Sequence, residues 1–114
     1  MSYDYVVFRT KSPIRCLNET GDGSVVVAGS WLEEADEILR REFGELHWSR
    51  EGERVVGDGL HLGIGRFEVS ADFERGYTMV HVQGSHHANQ TSLVRKIAQA
   101  LSATAFDVQT GEAL

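Results

Sequence analysis

The chain has 114 residues, 41% of them apolar and 25% charged, with one proline and a formal charge of −6. That length holds one core-bearing domain and leaves no room for a second, and the composition is that of a folded globular protein, not a disordered one. The acidic balance argues against a surface that tracks nucleic-acid phosphates, because such affinity needs clustered Lys and Arg.

Cys16 is the only cysteine, which excludes an intramolecular disulfide and a cysteine-rich zinc cage and points to a reducing compartment. The N-terminal residues carry an early acid, Asp4, and no basic run ahead of an apolar stretch long enough for a signal peptide or membrane span. The expectation is a cytoplasmic, single globular domain over residues 1–114, with no membrane or nucleic-acid partner.

Taken in order, Tyr5, Val6, Val7 and Phe8 form a short apolar run rich in β-formers and read as a buried strand. Residues 9–23 are rich in turn formers, with Ile14 and Leu17 placed to tack the loop onto the core. Residues 24–28 read as a second buried strand. Gly29 then lets the chain turn into a helix for which Ser30 and Glu33 have capping-box spacing. Acids crowd the start of that helix, Arg40 and Arg41 its end, and Gly44 stands ready to stop it. Ala35, Ile38, Leu39 and Phe43, with Trp31 or Leu32, make its apolar face. Asp36 with Arg40 and Glu37 with Arg41 are spaced as i, i+4 pairs.

Between residues 46 and 83 the pattern becomes short β-runs, 46–50, 54–56, 60–64, 66–72 and 77–83, joined by glycine-bearing turns too short for anything but antiparallel neighbours. A two-residue loop at Gly65 and Arg66 sets Leu60, Leu62 and Ile64 with Phe67, Val69 and Ala71 on one face. A four-residue loop over 73–76 sets Glu68 opposite His81 and Ser70 opposite Met79, with Val80 and Val82 on the core side. The other face then carries His61, Glu68, Ser70, Asp72, Tyr77, Met79, His81 and Gln83. Residues 84–90 are a polar junction, and 91–101 are an amphipathic helix with Leu93, Val94, Ile97, Ala98 and Leu101 on one side and Asn89 or Thr91 as cap. Phe106 and Val108 suit a last strand. These elements define an α+β fold, a mainly antiparallel twisted sheet with two helices packed on one face, in the order ββα, β-meander, αβ.

The chemistry-bearing residues are sparse. Of five histidines, His61 and His81 fall about 12 Å apart in the expected register, too far for shared ligation at about 2.1 Å per bond. His86 and His87 are consecutive and lack a spaced partner. No metal or other cofactor is therefore expected. Glu68 facing His81 is the best local acid–base pair, since a carboxylate beside an imidazole orients the ring and favours its cation. No nucleophile in an activating setting accompanies it, and Ser85 lacks the nucleophile-elbow pattern. The junction at 84–89 leads into a helix N-terminus, a place that receives anions, but neither phosphate-loop glycine pattern is present.

The expectation is a small non-enzymatic protein-binding or regulatory module, acting on a protein partner or on a second copy of itself. Its surface would be the open sheet face and the histidine loop: His61, Glu68, Ser70, His81, Gln83, Ser85, His86 and His87. The competing reading is an enzyme or small-ligand protein built on Glu68 and His81 with an anion at 84–89.

Overall fold

A computed structural model describes residues 3–11, 14–16, 26–59, 67–74, 76–84 and 87–114. The strands are β1 (Tyr3–Phe8), β2 (His47–Glu51), β3 (Arg54–Asp58), β4 (Phe67–Glu74), β5 (Tyr77–Gly84) and β6 (Thr104–Asp107), and the helices are α1 (Leu32–Glu42) and α2 (His87–Ala100). The six strands form one open sheet in the order β2-β3-β4-β5-β1-β6, antiparallel at every step. The fold is α+β.

Period-two alternation decides which side chains are buried. Tyr5, Val7, Val55, Val69, Ala71, Val80 and Val82 are all wholly buried and lie on one face of the sheet. They share a single apolar cluster with Leu32, Ala35 and Leu39 of α1 and Val94, Ile97 and Ala98 of α2. The strand that enters first is interior, flanked by β5 and β6. Its apolar residues at both parities fit that position, because Val6 and Phe8 need cover on the other face.

That cover is a second cluster. Phe8, Ile14, Val26 and Phe106 are buried together, with Val6, Tyr77, Met79 and Ala113 packed around them, and the Phe8 and Phe106 rings stack at 5.1 Å between centroids. The sheet face expected to be open is therefore closed over its β1 and β6 half. Tyr77 and Met79, expected on an exposed surface, pack against this cluster.

Of the expected strand at 24–28, residues 26–28 are described: Val26 makes an isolated bridge with Thr10, and Gly29 follows with a positive φ of +94°. Among the described residues the elements begin β1, α1. Two further expectations are corrected. The capping box does not form. Trp31 is the N-cap with no side-chain cap bond, and the Glu33 carboxylate turns outward to the Arg50 guanidinium, a charged two-pronged donor that outcompetes a neutral amide. The Trp31 amide donates instead to the Thr78 hydroxyl at 3.0 Å in a fully buried bond from β5. Finally, α2 starts at His87, so Asn89 and Thr91 lie inside it and neither caps it. Positions 24, 25, 60–66, 75, 85 and 86 lie outside the described residues, among them the expected strand at 60–64 and the Gly65–Arg66 hairpin.

Candidate functional site: the polar half of the sheet face

The β4–β5 hairpin pairs Glu74 with Tyr77 and Phe73 with Thr78, with Gly76 at φ +88°. The expected loop was two residues longer. Tightening it adds two rungs and lets Thr78 be buried beneath α1, which keeps the parity of every side chain but shifts each partner by two. Glu68 therefore faces Gln83, and His81 faces Ser70. The expected Glu68–His81 pair is diagonal, about 7–8 Å between backbones, and not directly opposed.

The structure brings Glu68, Ser70, His81 and Gln83 onto one surface and places His87 at the first position of α2. His61, Ser85 and His86 lie outside the described residues. Ser70 is buried at 6% exposure, His81 is half-buried between Ser70 and Val6, and Gln83 is exposed. Among the described residues no hydrogen bond joins the Ser70 hydroxyl to His81, so the two do not form an activated nucleophile.

The ladders extend this surface beyond the residues expected from sequence. His47, Asp58, Glu68, Gln83 and Asp4 stand opposite one another in sequence across β2, β3, β4, β5 and β1. A parallel row runs through Ser49, Val56, Ser70, His81 and Val6, and a third through Glu51, Arg54, Asp72 and Met79. Asp4 and Asp58 were legible only as the odd polar residues between buried neighbours in β1 and β3. Asp4, Glu51, Asp58, Glu68 and Asp72 share this face with one arginine, Arg54, whose guanidinium is 3.9 Å from the Glu68 carboxylate. No family model, curated protein or solved structure matches the chain.

The charges of α1 are held in pairs. Arg9 grips Glu34 through two bonds of 2.8 and 3.1 Å, donates to the Leu101 carbonyl and lies 4.3 Å over the Trp31 ring. Arg50 binds Glu33 and Asp36, while Arg40 pairs with Asp36 and Arg41 with Glu37 at the expected i, i+4 spacing. Hydrogen bonds from Arg50 and from Arg9 hold the Glu33 and Glu34 carboxyls below their ordinary range, and Glu33 in turn raises the Arg50 guanidinium. Both carboxyls are exposed, so their pairs contribute little to stability. What they contribute is present above the unfolded-state value and disappears as pH falls through the lowered folded-state value. In Arg50→Gln the Glu33 titration followed by carboxyl-carbon NMR is expected to move up toward 4.5; an unmoved midpoint would mean that the pair is not held in solution.

Among the described residues, clefts of about 430 and 320 Å³ lie elsewhere: one beside Glu42, Phe43 and Lys96, the other beside Arg95, Thr104 and Leu114. Neither includes Glu68 or His81. Among the described residues no three His, Cys, Asp or Glu side chains converge as metal ligands, and neither helix is long and apolar enough to cross a membrane.

Proposed function

We propose that the protein is a non-enzymatic, cytoplasmic protein-binding module, its two helices backing one side of the sheet and its polar sheet face docking onto a basic surface of a partner. The observation that carries this reading is the in-register row of His47, Asp58, Glu68, Gln83 and Asp4 across five strands. Neighbouring strands hold such side chains at a spacing of about 4.8 Å on a backbone stiffened by the core behind it, so the charge pattern is preorganised. Acids outnumber permanent cations on this face, and complementary charge sets both the rate of encounter and the choice of partner. The residues of the histidine loop, His61, Ser85, His86 and His87, extend the surface in this reading. The enzyme reading has less support, since the register separates Glu68 from His81.

The test is capture from native lysate followed by charge reversal. A partner retained at low salt is expected to be lost at least tenfold in Asp58→Lys/Glu68→Lys and retained by Glu37→Lys, which reverses an exposed charge on α1. Equal loss in both variants, or no salt-sensitive partner at all, would overturn the assignment.

A further inference from the structure

The two edges of the sheet are unequal. On the β6 side the chain's own end lies along the strand: the Asp107 amide donates to the Glu112 carbonyl and the Leu114 amide to the Ala105 carbonyl, both at 2.9 Å, and Ala113 bridges Phe106. On the β2 side no strand among the described residues pairs with its outer edge.

The phase of the β2 backbone follows from its hairpin. Gly52, with φ +59°, and Glu53 form a two-residue loop closed by Glu51 and Arg54, and in such a hairpin the closing residues exchange both hydrogen bonds. Glu51, Ser49 and His47 therefore aim their backbone groups at β3. Trp48 and Arg50 aim theirs outward.

A second copy lying antiparallel against this edge must match outward groups with outward groups, so a two-fold axis falls at Trp48, Ser49 or Arg50. An axis at Arg50 sets that arginine against its own copy, and an axis at Trp48 sets Arg50 against position 46, where the Leu46 amide already bonds the Phe43 carbonyl. An axis at Ser49 sets His47 opposite Glu51 of the other copy on one face and Trp48 opposite Arg50 on the other. The first sets an imidazole against a carboxylate, and the second lays an indole along the stem of an arginine whose guanidinium is held by Glu33 and Asp36 of its own chain. Charges on an edge strand ordinarily deter pairing; in this register no like charges oppose one another. The helices leave space for the arrangement. The α1 helix contacts β4, two strands inside β2, which puts two α1 copies about 24 Å apart at about 4.8 Å per strand, against a helix diameter of about 10–12 Å.

We infer that the protein forms a two-fold dimer by antiparallel pairing of its β2 edges, centred on Ser49, into a continuous sheet. This is independent of the basic partner, since it requires only a second copy. Light scattering over a concentration series is expected to rise from 12.7 kDa to twice that mass. A non-hydrogen-bonded pair on the axis brings its Cα atoms to about 4.5 Å, within the span that a disulfide bridges. Under mild oxidation Ser49→Cys is therefore expected to cross-link to itself, identified as the peptide joined through position 49 and distinguished from any Cys16 product seen in wild type. His47→Cys and Glu51→Cys are expected to cross-link when mixed and not when alone. His47, Ser49 and Glu51 are all exposed, and circular dichroism checks that each variant is folded. A mass of 12.7 kDa at every concentration would overturn the dimer, and a doubled mass without the position 49 cross-link would overturn this interface.

Discussion

Phe106→Ala is expected to destabilise the protein by about 3–5 kcal/mol, the cost of removing a large side chain from a packed interior. Phe106 is wholly buried, stacked on Phe8 and enclosed by Ile14 and Val26, on the sheet face it shares with Val6. Were that face open across its whole width, an aromatic on a strand there would contribute only about 0.2–1 kcal/mol through cross-strand contact. The two expectations differ by enough to be separated in a urea melt, and the large value would establish that the loop segments and chain end form a true second core. Ile14→Ala is expected to give a smaller loss of the same kind, about 2–5 kcal/mol, because Ile14 covers the stack from the loop. A loss below about 1 kcal/mol for Phe106→Ala would mean that the cluster does not exclude water.

The reason this second core was only half legible lies in how strands encode their faces. Tyr5, Val6, Val7 and Phe8 are apolar at both parities, which signals cover on both sides of β1, and Ile14 was recognisable as an apolar tack in a polar loop. What alternation cannot state is which strands are neighbours, so nothing in the order of residues placed β6 beside β1 or brought Phe106 onto Phe8. The site shows the same division. Parity assigned Glu68, Ser70, His81 and Gln83 correctly to one face, because parity is local. The partners depended on the length of one loop, and a tighter turn at Gly76 moved them all by two residues. Asp4, His47 and Asp58 joined the row only once the strand order was known. The capping-box spacing of Ser30 and Glu33 misled for the opposite reason: the local pattern was real, and a distant guanidinium on Arg50 took the carboxylate.

Gly57→Ala is expected to destabilise the protein by about 1–3 kcal/mol, although alanine is the better strand residue. The glycine is needed for space and not for backbone freedom: a Cβ at position 57 would come within 2.7 Å of two carbons of the Trp48 ring on the adjacent strand. That ring cannot swing aside freely, because its Nε1–H donates to the Phe43 carbonyl at 2.9 Å. The sign of the effect should therefore depend on Trp48. In a Trp48→Ala background the clash is gone, and Gly57→Ala is expected to become neutral or to stabilise by about 0.4–1 kcal/mol through the lower entropy of the unfolded chain. The double-mutant cycle reads the difference directly as a coupling between neighbours. A loss of similar size in both backgrounds would place the constraint in the backbone of β3 and not in the indole packed across it. Because Trp48 lies on β2, the same cycle run by light scattering separates the two roles of the ring, as cover for Gly57 within one chain and as the surface that meets Arg50 of a second.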